Sequence, residues 1–182
     1  MKKVLFVLAC LAATIALCAC GGPGGFFSKP TPTPVPDFDP AALITADDVA
    51  AVVGYVPVTE PSGTKRDGNV ATVLYRSEPL GEHDTVEVKL TQFTDDIGYE
   101  EIFALYEAQK AKRPSAALLE GIGQEAYLAY PTIHVYDRGC LIEITAGSGA
   151  GEVQKNILTS LAMRAAGKLE EIIPEYNPDE KN

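Results

Sequence analysis

The chain has 182 residues and a formal net charge of −10, from 15 basic and 25 acidic residues. So acidic a surface repels phosphate backbones, which argues against a nucleic-acid partner, and the length suits one globular domain plus a tether. Cys10, Cys18 and Cys20 crowd the first twenty residues and Cys140 stands alone, a placement that excludes a disulfide framework.

Lys2 and Lys3 precede an uncharged apolar run from Val4 to Leu17, and small residues lead on to Cys20. Basic start, short apolar core and small-residue end are the parts of a secretory signal, and the run is shorter than the roughly 20 residues a spanning helix needs. Leu17-Cys18-Ala19-Cys20-Gly21 resembles the lipobox of bacterial lipoproteins. The resemblance implies diacylation of the Cys20 thiol, cleavage before Cys20, and often acylation of the new amino terminus. It implies a palmitate-type anchor at the extracytoplasmic face of the bacterial cell membrane, where two or three acyl chains hold durably. Cys18 fits less well, because Leu17 would then occupy the small-residue position. An ordinary cleaved signal peptide, or a short uncleaved anchor, is the other reading. Cleavage would remove 19 residues and two lysines, leaving 163 residues at a net charge of −12, with Cys140 as the one free thiol.

Residues 21–40 carry six prolines, passing from glycine-rich to alternating Pro-Thr-Pro-Thr-Pro. Such a stretch is part flexible, part extended polyproline, and suits a tether; Thr31-Pro32-Thr33-Pro34 as a docking peptide is the alternative. Ile44-Thr45-Ala46-Asp47-Asp48-Val49 then reads as a helix start. Thr45 is an N-cap with Asp48 three residues on, and Ile44 and Val49 stand at the positions of a hydrophobic staple. Gly54 suits the stop. Asp47 and Asp48 are first-turn acids that the helix dipole favours rather than a catalytic pair.

Strand patterns follow. Tyr55–Thr59 is short. Asn69–Ser77 alternates, with Ala71, Val73 and Tyr75 on one side. His83–Thr94 alternates Val86, Val88 and Leu90 against Glu87, Lys89 and Thr91. Pro61-Ser62-Gly63 and Pro79-Leu80-Gly81 are turn signals. Asp95-Asp96 is expected to cap a helix over Gly98–Lys112, with Tyr99, Ile102, Phe103 and Tyr106 on one side; Pro114 ends it or starts a further turn through Leu119. Glu125–Tyr130, Thr132–Asp137 and Cys140–Thr145 read as strands, with a tight hairpin at Asp137-Arg138-Gly139. A long helix over Glu152–Ile173 closes the domain, with the stripe Val153, Ile157, Leu161, Ala165, Leu169, Ile172. Strict alternation implies antiparallel strands with one wet face.

The predicted organisation is a signal at 1–19, lipidated cysteine and tether at 20–40, a globular α+β domain at 41–176 and an acidic tail at 177–182. The expected fold is a two-layer sandwich, an antiparallel sheet of about five to six strands with helices on one face. The segments Ile44-Thr45-x-x-Asp48-Val49, Gly121-Ile122-Gly123-Gln124-Glu125-Ala126-Tyr127 and Val135-x-x-x-Gly139 resemble those of small bacterial cell-envelope lipoproteins, several with a PsbP-like α/β sandwich. That resemblance implies the sandwich and no enzymatic residue set.

Catalytic and metal signals are weak. His134 shares a strand face with Tyr136, and Glu143 on the next strand shares that face; a histidine with a carboxylate suits metal binding or proton transfer, but two ligands are too few. His83 falls at a loop or strand start. No Gly-x-Ser-x-Gly elbow surrounds Ser148, and Cys140 alternates with Ile142 and Ile144 as a buried small hydrophobe. Gly147–Gly151 lacks the lysine of a phosphate loop, and neither Asp95-Asp96 nor Asp37-x-Asp39 supplies a calcium-loop ligand series. No cofactor or metal is expected. The candidate contact face is the wet one: Glu87, Lys89, Thr91, His134, Tyr136 and Glu143. These features fit a non-enzymatic, lipid-anchored module that binds an envelope protein or glycan. An envelope hydrolase using His134 with a carboxylate, or a purely structural accessory subunit, are the alternatives.

Overall fold

The alternating apolar positions meet in one antiparallel sheet. The computed structural model describes residues 38–54, 58–59, 63–76, 85–94 and 96–174. The signal, Cys20, nearly all of the tether, residues 55–57, most of the two Pro-Gly turns, His83, Asp95 and the acidic tail lie outside the described residues.

One helical turn, α1 (Pro40–Leu43), precedes α2 (Ala46–Val53). At α2 the Thr45 hydroxyl accepts from the Asp48 amide at 3.2 Å, and the Asp48 carboxylate accepts from the Thr45 amide at 3.0 Å. This capping box satisfies two amides that the helix itself cannot. Ile44 and Val49 are both fully buried, as a staple requires.

The strands are β1 (Val58–Thr59), β2 (Lys65–Asp67), β3 (Val70–Arg76), β4 (Thr85–Gln92), β5 (Ala117–Leu119), β6 (Glu125–Ala129), β7 (Thr132–Asp137) and β8 (Cys140–Ala146). Helix α3 (Tyr99–Ala111) follows β4, and α4 (Glu152–Ile172) ends the fold. The sheet order is β1-β3-β4-β8-β7-β6-β5, with β2 also on β3, and every pairing is antiparallel. Because β4 takes the other edge of β3, β1 and β2 share one position. Eight segments thus fill seven positions, more than the five to six expected. The two unpredicted segments, β2 and β5, are three-residue edge strands without alternation. All three residues of β2, Lys65, Arg66 and Asp67, are exposed, and β5 stands where a further turn through Leu119 was one of the two readings after Pro114.

The registers sort side chains into two faces. Tyr75, Val86, Ala146 and their alternates Val73, Val88, Leu90, Ile142, Ile144, Ile133 and Val135 form one apolar, buried face. Helices α1, α2 and α4 pack together on it. The Tyr75 hydroxyl donates to the Ile44 carbonyl at 2.5 Å, Gln154 of α4 donates to the Ala146 carbonyl, and Arg164 of α4 pairs with Asp48 of α2 at 2.6 Å. The opposite face carries Glu87, Lys89, Thr91, Glu143, His134, Tyr127 and Tyr136.

Helix α3 crosses that opposite face, so helices are not confined to one side. Its Tyr106 ring lies 5.3 Å from Tyr127, and Phe103 lies 4.9 Å from Tyr136. Gly98, not Asp95-Asp96, is its N-cap. At the β7–β8 hairpin, Arg138 and Gly139 both have positive φ, 47° and 71°, the geometry of the tight turn anticipated there. A Cβ on Gly139 would run into the Tyr99 ring.

The α4 stripe differs from expectation at its start. Val153 is 76% exposed, while Gln154, Leu158, Leu161, Ala162, Ala165 and Leu169 face inward. Steps of four residues advance about 40° beyond a full turn of a 3.6-residue helix. Four such steps carry Val153 far around from Leu169, so one face cannot hold the whole stripe.

Candidate functional site

The sheet registers set Lys89 beside Glu143, Glu143 beside His134, and His134 beside Tyr127. These four residues form one row across β4, β8, β7 and β6. The Lys89 ammonium is 2.7 Å from Glu143, and His134 Nδ1 is 3.3 Å from the same carboxylate. The Glu143 carboxylate thus lies between the Lys89 ammonium and the His134 ring. The His134 ring stacks on Tyr127 at 4.4 Å and 16°. Nε2 of His134 and the hydroxyls of Tyr127 and Tyr106 are buried and have no hydrogen-bond partner among the described residues. Burial opposes the Glu143 charge, but His134 and Lys89 outweigh it and lower the carboxyl to about 2.

The six residues expected on an open contact face do share one face, but most are not open. His134 is 0% exposed, Thr91 3% and Tyr136 7%. Glu143 is mostly covered, and of the six only Glu87 is exposed, with Lys89 partly so. The expectation of a wet His134 and Tyr136 is therefore wrong. Alternation placed them correctly on the face opposite Ile133 and Val135, but their aromatic neighbours Tyr127 and Phe103 cover them there. Cys140 is fully buried, and burial pushes its thiol up to about 12, which removes the thiolate a nucleophile needs.

The accessible feature of this face is a groove at the flank of α3. It holds about 400 Å3 between Tyr99, Glu100, Phe103 and Ala104 of α3 and Gln124, Glu125 and Tyr136 of the sheet side. Three aromatic side chains, Tyr99, Phe103 and Tyr136, stand in its walls, with the Phe103 and Tyr136 rings tilted 57° to each other. Of the six predicted residues only Tyr136 reaches it. The sequence did mark Tyr99, Phe103 and Tyr106 as one helix side; it carried no sign that this side would lie on the polar sheet face.

A second groove of about 340 Å3 runs between α4 and the β7–β8 hairpin. Its charged groups pair with one another. Arg138 donates to the Ile173 carbonyl at 2.8 Å and pairs with Glu170 at 3.1 Å, a clamp that fixes the end of α4. Among the described residues no group of three His, Cys, Asp or Glu side chains could hold a metal ion. No protein-family model matches the chain, and neither a curated protein nor a solved structure is similar to it.

Proposed function

We propose that the chain is a lipid-anchored extracytoplasmic protein whose α+β domain is a non-enzymatic binding module of the bacterial cell envelope. The anchor rests on the basic, apolar and lipobox-like series ending at Cys20. The binding role rests on one observation, the aromatic groove between α3 and β6–β7, whose volume falls in the range of small-ligand sites. In this reading α1, α2 and α4 are the helical layer of a PsbP-like two-layer sandwich, and α3 is an addition across the other sheet face.

Two measurements on the full chain expressed in a bacterial host test the proposal. Intact mass of the membrane-extracted protein is expected to show a chain starting at Cys20 with two or three acyl chains, and Cys20→Ala is expected to release it from the membrane. A mature species without lipid would overturn the anchor. Crosslinking through a photoreactive group at exposed Ala104 is expected to trap an envelope component, and a group at exposed Met163 is not; equal trapping from both would overturn the groove as the binding site.

The hydrolase reading is favoured by one observation, the 3.3 Å approach of His134 to Glu143. It ranks second because His134 is 0% exposed, and a general base must come within hydrogen-bond reach of its substrate. A turnover abolished by His134→Ala, with the fold retained, would reverse that ranking.

A further inference from the structure

We infer that β5 is an interaction edge whose partner is the β5 of a second copy of this chain, paired antiparallel about a twofold axis at Leu118.

Strand β5 ends the sheet, with β6 as its one strand neighbour among the described residues. Alternate residues of a strand turn their N–H and C=O groups to opposite sides, so the outer side of β5 offers backbone groups to a further strand. The two edges of the sheet differ in protection. At one, β2 presents exposed Lys65, Arg66 and Asp67, charges that discourage pairing. At the other, Ala117-Leu118-Leu119 has neither charge nor proline, and Leu118 is 70% exposed. An uncharged apolar edge is a template for an added strand.

The residues flanking β5 say which strand fits. Exposed Arg113 stands before it and exposed Glu120 after it. Neither enters an ion pair among the described residues. The Ala116 amide donates to the Arg113 carbonyl at 2.9 Å, so a turn brings Arg113 back to within about 7 Å of Ala116. Antiparallel pairing about Leu118 sets Ala116 opposite the partner's Glu120. Each Arg113 then comes within side-chain reach of the partner's Glu120, and symmetry makes the contact twice. Parallel pairing would instead set like charges together. The chain's own β5 thus has the charge order that an antiparallel partner requires. The same axis sets two Leu118 side chains opposite each other, about 5 Å apart at Cβ, where they shield one another from water. The net charge of −10 opposes approach mainly at longer range, where salt screens it. So short an edge buries less area than a stable dimer does, which places the pair among weak, transient contacts.

The test is crosslinking of the full chain in intact cells of a bacterial host with a short bismaleimide. Leu118→Cys is expected to trap a species of twice the chain's mass, because residues on a twofold axis meet their own copies. Wild type and Lys65→Cys, at the charged edge, are not. In the Leu118→Cys background, Arg113→Glu and Glu120→Arg are each expected to cut the dimer yield about threefold or more, since each turns an attraction into a repulsion. Glu120→Arg does so although it lowers the net charge. Both reversals together restore opposite charges and are expected to restore the yield. No dimer from Leu118→Cys, or an equal yield from Lys65→Cys, overturns the inference. A yield indifferent to the two single reversals overturns the antiparallel pairing it rests on. An adduct of another mass shows a different protein on β5 and overturns the second copy as its partner.

Discussion

Glu143→Gln keeps the size of the side chain and removes its charge, so it isolates what the Lys89–Glu143–His134 row contributes to stability. Burial disfavours the Glu143 carboxylate, but the adjacent His134 and Lys89 win and hold its pKa at about 2, against 4.5 for an unperturbed glutamate. A carboxyl whose pKa is lower in the folded state stabilises the fold above its unfolded pKa, and that contribution is lost as pH falls through the folded pKa. The difference between 4.5 and about 2 is worth about 3 kcal/mol at neutral pH, at about 1.4 kcal/mol per pH unit. Little of this is lost at pH 5, about 2 kcal/mol is lost by pH 3, and nearly all is gone below pH 2. Urea unfolding of wild type and variant at pH 7, 5, 4 and 3 measures it, because other carboxylates titrate alike in both proteins. With a urea dependence of about 2 kcal/mol per M, the gap between their midpoints should narrow by about 1 M from pH 5 to pH 3. A gap that stays flat over that interval would refute the view that the row holds Glu143 charged.

Other substitutions probe the scaffold around the groove. Thr45→Ala removes the cap of α2 and should cost about 1 kcal/mol in urea unfolding, with faster amide exchange at Asp48. Tyr75→Phe leaves the Ile44 carbonyl without its buried donor and should cost about 1–2 kcal/mol in the same assay. Gly139→Ala meets both a positive φ and the Tyr99 ring, whereas Gly54→Ala meets a positive φ in open space. Gly54→Ala should therefore cost about 1 kcal/mol and Gly139→Ala distinctly more, with the Tyr99 resonances displaced only in the latter; equal costs would show that the ring contact is unimportant.

Local rules carried the reading of the fold as far as they reach. Thr45 and Asp48 mark α2 because a capping box is complete within four residues. Val86, Val88 and Leu90 mark the buried face of β4 because side chains alternate along any strand. Strand β2 was not legible, since Lys65, Arg66 and Asp67 are an exposed charged edge with no apolar phase; such charge on an edge discourages pairing with other chains. Strand β5 failed for a different reason. Ala117-Leu118-Leu119 is apolar throughout, and so short a run fits a helical turn equally well. The burial of His134 was hidden because it depends on what lies across the sheet. Alternation tells which face a residue takes, and only tertiary packing tells what covers that face.

The groove follows from how much sheet one helix can cover. Strands lie about 4.8 Å apart and a helix with its side chains is about 10 Å across, so a helix shields about two strands. Three helices serve the apolar face, and among the described residues α3 alone crosses the other. Helix α3 packs mainly on β8 and β7, and Glu87 and Lys89 stand beyond them on β4, which is why this face tolerates their charge. Tyr99, Ile102 and Tyr106 seat α3 on the sheet. Phe103, one residue round from Ile102, is left at its flank, where it meets Tyr136 at 4.9 Å and makes a wall rather than a seal. An aromatic groove bordered by Glu100 and Glu125 is the consequence. Filling it from within, by Ala104→Leu on the exposed helix wall, should displace any groove ligand while leaving urea stability within about 0.5 kcal/mol of wild type.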